Sequence, residues 1–188
     1  MIILIVIMIS IIMKLTYIRI QKNNMIMDSK PEKIIIGIAE LVVVHNPAVL
    51  VTIGLGSCVA ISIRDPIARY GGLSHILLPS ISESNNKSNP MKFADSALEM
   101  VVDLLLKKGC AKNRLEAKIA GGASMFNIGG NTINIGERNV EAVKKKLKEL
   151  NIPLLASDTG ENYGRTIEFN IASGIMYVKS AFHGIKEI

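Results

Sequence analysis

The stretch "TIGLGSCVAISIRD", residues 52 to 65, is apolar and β-branched but broken by Gly-Leu-Gly-Ser-Cys. Strand interiors disfavour glycine, so Gly54 and Gly56 mark a bend, a bulge or a close backbone approach. The run therefore reads as two strands, 49–55 and 58–65, with a cysteine set at the break between them. The rest of the chain decides what that break is for.

Upstream, "KIIIGIAELVVV" (33–44) reads as a buried strand, and "HNPAVL" as a turn into the next. Downstream, "DPIARYGG" is a turn and "LSHILLP" (73–79) a strand stopped by proline. The polar segment 80–90 is an exposed loop. Phe93, Ala97, Leu98, Val101, Leu104 and Leu105 fall at helical spacing, which predicts a helix over 92–108 with Gly109 as its stop. "LEAKIAGGA" gives a strand ending in glycines. A second helix is expected over 138–150, with Val140, Val143, Leu147 and Leu150 on one side and the lysines of "KKKLK" mostly on the solvated side. "IPLLASD" is a strand, and "RTIEFNIASGIMYVKS" alternates about a Ser173-Gly174 turn as a hairpin. This order predicts one layered α/β or α+β domain.

Length and composition fit that reading. The 188 residues are 49% hydrophobic and 20% charged, enough for a full core and unlike a disordered chain. The net charge of +6 falls to +3 without the first 26 residues, and there is no basic run with interleaved aromatics, so nucleic-acid binding has no support. Two cysteines, Cys58 and Cys110, make no disulfide framework and point to a reduced, cytoplasmic protein. The apolar start "MIILIVIMISIIMK" would span roughly 20 Å as a helix, against about 30 Å for a bilayer core. It lacks the basic start and cleavage site of a secretory signal. Leu15, Ile18 and Ile20 extend the apolar character, so a short signal anchor is one reading; the other, which we expect, places residues 1–24 outside the working protein and 25–188 in the domain.

Cys58 follows Gly56-Ser57 directly. Backbone N–H groups at such a bend can converge as a nest for an oxyanion, and a thiol is a strong nucleophile when a neighbouring base lowers its pKa. His75 meets Cys58 if strands 58–65 and 73–79 pair as a hairpin. Thr52, on the preceding strand, would then orient the imidazole or bind substrate. The alternative is that Cys58 and His75 are ordinary core residues. His45, His183 and Cys110 are weaker candidates, and no Cys/His cluster has metal-ligand spacing. "GGASMFNIGGN" (121–131) lacks the Gly-Lys-Ser/Thr ending of a P-loop and reads as a tight turn near the site.

Five blocks, in order, resemble the chemoreceptor glutamine deamidase family, CheD: "TIGLGSCVAISIRDP", "GGLSHILLP", "AKIAGGASMF", "IGERNVEAVKKKL" and "NYGRTIEF". Together they cover roughly residues 33–180. The resemblance implies an α/β sandwich of the CheD type, a single layered domain of mostly antiparallel strands with two main helices. It implies a nucleophile at Cys58, a general base at His75 and a third catalytic residue at Thr52, with backbone support from Gly56 and Ser57 and no metal or organic cofactor. The implied substrates are glutamines of methyl-accepting chemotaxis receptors, which would be the only link to a membrane. Methylesterase activity on the same receptors and a CheC-type phosphatase partner are implied too. Two departures stand out: Glu161 replaces a glycine before "NYGR", and Cys110 replaces a small non-thiol residue. A module that only regulates a CheC-type phosphatase, or a cysteine peptidase, are the alternatives.

Overall fold

The computed structural model describes residues 31–124 and 134–188. The apolar start and residues 125–133 of the glycine-rich segment lie outside them. Among the described residues ten strands and two α-helices follow in order: β1 (Glu32–Ile36), β2 (Leu41–His45), β3 (Ala48–Leu55), β4 (Val59–Asp65), β5 (Tyr70–Ile76), α1 (Ala94–Lys107), β6 (Glu116–Gly121), α2 (Ile135–Glu149), β7 (Leu154–Thr159), β8 (Arg165–Asn170), β9 (Met176–Ser180) and β10 (Gly184–Glu187).

The strands form two five-stranded sheets, β1-β3-β8-β9-β10 and β2-β5-β4-β6-β7. Pairing is antiparallel except for β1 with β3 and β6 with β7. Alternation along β4 explains the layers. Ala60 joins Leu50, Leu73, Ala120, Ile167 and Phe169 in a core between the sheets. Val59, Ile61 and Ile63 face the other way, against Leu98, Val101 and Leu105 of α1 and Val143 and Leu147 of α2. The second sheet is thus covered on both faces, which is why β4 reads as a continuous apolar run. The fold is the expected α/β sandwich with two helices and mostly antiparallel strands. Among the described residues no helix is long and apolar enough to cross a membrane.

Three local expectations change. The run 33–44 is two strands in different sheets. The Gly37 N–H donates to the Glu40 carboxylate (2.7 Å) and Ala39 takes φ +60°, so the chain turns there and crosses between sheets. The second helix starts earlier, at Ile135, because the Asn134 side chain caps it by accepting from the Glu137 N–H. The short exposed strand β10 extends the C-terminal hairpin.

The glycine break resolves into two features. Between Thr52 and Leu55 the register against β8 slips by one residue, a bulge at which Gly54 adopts φ +76°. The true turn between sheets is Gly56-Ser57-Cys58.

Asp65 closes β4, fully buried, and its carboxylate accepts from the N–H groups of Ile67, Ala68 and Ala111 and from Arg114 (2.7 Å). Burial alone would raise its pKa, but these donors outweigh it and hold the carboxyl well below the usual range. Asp65→Ala is expected to cost about 3 kcal/mol at pH 7, because the N–H groups of Ile67, Ala68 and Ala111 lose their acceptor together. With the folded pKa depressed, this stability is present above about pH 4 and lost as the pH falls further. Denaturant midpoints at pH 7 and pH 3 check both statements.

Candidate active site

His75 lies on β5 directly opposite Ala60 of β4. Cys58 is two residues before Ala60, so the hairpin makes Cys58 and His75 diagonal neighbours on one face, the face between the sheets. Such diagonals stand about 7 Å apart between Cβ atoms, within reach of a long side chain. From the other sheet Thr52 points inward and its Oγ1 lies 2.8 Å from His75 Nδ1. The structure thus brings Thr52, Cys58 and His75 to one end of the inter-sheet core.

The hydrogen bonds fix the imidazole tautomer. The Thr52 hydroxyl has one proton and donates it to the Ile36 carbonyl (3.0 Å). Toward His75 it therefore accepts, which places the ring proton on Nδ1 and leaves Nε2 with a bare lone pair. Nε2 is buried and has no partner among the described residues. Nε2 is the ring nitrogen left to act as a base, on the face that His75 shares with Cys58.

Cys58 is 7% exposed and His75 is 0% exposed, so both lie in the core, with His75 the deeper of the two. Burial pushes the Cys58 thiol up, with its own backbone N–H pulling the other way. Burial lowers His75 to about 4. The sequence expectation of a thiol lowered by the imidazole is not met in the resting protein. Both groups are neutral there, because the dry inter-sheet space penalises either charge.

The turn that carries the thiol is held by its carbonyls. Gly56 C=O accepts from Ala123 N–H (2.8 Å), Ser57 C=O from Asn139 Nδ2 (2.9 Å) and Cys58 C=O from Gly122 N–H (2.7 Å). A Cβ on Gly121 would sit 2.2 Å from the Cys58 oxygen, so only glycine lets β6 approach this closely. No described residue accepts from the N–H of Gly56 or Ser57. Asn139, buried on α2, escaped the sequence reading. Its signal was a polar residue on the apolar stripe of Val140, Val143 and Leu147.

Other candidates sit elsewhere. His45 packs edge-on against Tyr70, at the far end of β5. His183 stacks on Tyr163, with ring centroids 4.0 Å apart. Cys110 is buried in the helix-side core as a packing residue. Glu161 adopts φ +61°, so the departure from glycine strains the backbone there rather than removing a side-chain contact. Among the described residues no three His, Cys, Asp or Glu side chains gather as a metal site.

Thr52, Cys58 and His75 thus meet at one end of a two-sheet sandwich, with the threonine holding the imidazole from the opposite sheet. The sequence pattern described as "CheD chemotactic sensory transduction" matches residues 77–180. The protein named probable chemoreceptor glutamine deamidase CheD of Caldanaerobacter subterraneus subsp. tengcongensis is 50% identical over 155 residues, 81% of this chain and 96% of that one. The protein of the same name from Clostridium botulinum strain Hall is 51% identical over 164 residues, 86% of this chain and all of that one. The chain belongs to the CheD family. Among solved structures, the Bacillus licheniformis hypothetical protein YfiH overlays with a TM-score of 0.44 at 14% identity, over 72% of this chain and 62% of that one.

Proposed function

We propose that this protein is a glutamine deamidase of chemoreceptors, with Cys58 as nucleophile, His75 as general base and acid, and Thr52 as the residue that orients His75. The observation that carries the reading is the hydrogen bond of Thr52 Oγ1 to His75 Nδ1, with the Thr52 proton given to the Ile36 carbonyl, on the face His75 shares with Cys58. His75 Nε2 takes the thiol proton as sulfur attacks the glutamine carboxamide carbon. Negative charge develops on the amide oxygen, where the N–H groups of Ser57 and Cys58 stabilise it. The imidazolium then gives its proton to departing ammonia and a thioester remains. Water, deprotonated by the same Nε2, attacks the thioester carbon. Glutamate leaves and the proton returns to sulfur. The neutral resting pair suits this sequence, because charge appears only as the transition state forms.

By the same resemblance, receptor methyl esters are a second substrate and a CheC-type phosphatase a partner. Buried free thiols at Cys58 and Cys110 support a reducing, cytoplasmic setting. The working domain is residues 25–188. Glu32–Ile188 packs as one unit, and the match to the Clostridium botulinum relative covers 86% of this chain and all of that one.

The test is mass spectrometry of receptor cytoplasmic fragments incubated with the protein, searched for glutamine-to-glutamate conversion. Absence of conversion across several receptors from its own cell refutes the reading and favours a regulatory binding module. Thr52→Val keeps shape but removes the acceptor that holds the Nδ1–H tautomer. It is expected to lower kcat about 10²-fold, since a misassigned tautomer disables a catalytic imidazole. A loss of less than threefold in the same assay would show that the hydroxyl is structural only.

A further inference from the structure

Asn139 is completely buried on α2, far in sequence from Cys58 and His75, yet it binds beside both. Its Nδ2 donates to the Ser57 carbonyl (2.9 Å) and to the Leu77 carbonyl (3.0 Å). Ser57 precedes the thiol, and Leu77 lies two residues beyond His75. An amide nitrogen has two protons, so these two carbonyls use both. The Oδ1 atom is buried and has no partner among the described residues. Leucine would fill the same space but leave the Ser57 and Leu77 carbonyls without a donor, so the amide is there for those two carbonyls.

The peptide geometry says what the bonds do. In a planar trans peptide the carbonyl of one residue and the N–H of the next point in opposite directions. The Ser57 carbonyl faces Asn139, so the Cys58 N–H faces away from Asn139. Ala123, bonded to the Gly56 carbonyl, does the same for the Ser57 N–H. Gly136, one turn before Asn139, lies against the carbonyls of Gly122 and Ala123, so one helix backs the whole turn.

We propose that Asn139 is a positioning residue: it locks the Ser57–Cys58 peptide so that the Cys58 N–H serves as an oxyanion donor, and ties that peptide to the strand of His75. The inference rests on Cys58 being the nucleophile. Its test therefore includes a readout that needs no receptor. Asn139→Leu and Asn139→Ala remove the donors, and Val143→Ala, a core truncation on the same helix, is the control. Each variant is measured for kcat and KM of receptor-fragment deamidation, for iodoacetamide alkylation of Cys58 against pH, and for Tm.

For both Asn139 variants we expect kcat to fall about 10²-fold with KM within about threefold, the signature of a lost oxyanion donor. We also expect alkylation at pH 8 to slow about tenfold, as the freed N–H no longer supports the thiolate. Val143→Ala should lower Tm with kcat and alkylation unchanged. An Asn139 variant that matches Val143→Ala in kcat and alkylation overturns the proposal. If the unmodified protein has no deamidase activity, the alkylation curves decide alone, and an unmoved curve overturns it. If neither variant folds, the side-chain amide protons of Asn139 are followed by NMR in the unmodified protein. Slow exchange supports the two-carbonyl lock, and exchange at the rate of exposed asparagines refutes it.

Discussion

Cys58→Ser is expected to lower receptor deamidation by at least about 10³-fold while leaving the fold intact. The change is one atom, at a side chain on the rim of the inter-sheet core, and the turn is held by backbone carbonyls that the substitution does not touch. Tm should move by no more than a few degrees. The chemistry fails because a hydroxyl is far harder to deprotonate than a thiol. The base available is an imidazole whose pKa burial has lowered to about 4. So weak a base assists a thiol already polarised by its own N–H, but not an alcohol in the same dry position. The variant should still bind receptor fragments and any CheC-type partner, which calorimetry on the same preparation would show. Full deamidation by the serine variant would remove Cys58 from the mechanism. Loss of binding together with activity would mean that the thiol shapes the docking surface.

The hairpin of β4 and β5 was legible in the sequence because both strands are apolar and only a short turn separates them. The diagonal relation of Cys58 and His75 follows from that pairing alone. The Thr52–His75 bond was less accessible. It requires β3 to pack in a different sheet from β5, and a tautomer set by Ile36 on a parallel neighbour, a contact with no local signal. The run 33–44 misled for a related reason: both of its halves are apolar, so hydrophobic pattern cannot distinguish one strand from two in opposite sheets. What divides them is Gly37 and the carboxylate of Glu40. The thiol pKa was misjudged because the sequence shows that a histidine is near but not how dry the space is. Burial at that point outweighs proximity.

The two neutral groups also define where the site stores its demand for charge. Thr52, Ile36 and the backbone around Ser57 supply dipoles that are in place before substrate arrives, so little reorganisation is needed when charge forms. A preformed ion pair in the same space would carry a large desolvation cost in the resting state.

His75 makes that demand measurable. His75→Gln is expected to lower deamidation by about 10³-fold or more, because glutamine cannot take the thiol proton from Cys58. The same substitution should change how stability depends on pH. In the folded protein His75 stays neutral down to about pH 4, whereas in the unfolded chain it protonates near 6.5. Between those values the unfolded state binds the extra proton, so stability falls as the pH drops from about 6.5 to about 4. A difference of about 2.5 pKa units corresponds to about 3 kcal/mol. The depressed carboxyl of Asp65 acts in a lower window, below about pH 4, so the two contributions separate. Unfolding free energies of the unmodified protein and of His75→Gln, measured with denaturant from pH 8 to pH 4, should converge by about 3 kcal/mol as the pH falls. Parallel curves would mean that His75 titrates as it does in water. The inter-sheet space would then be wet, and a preformed thiolate–imidazolium pair would replace the neutral pair in the mechanism.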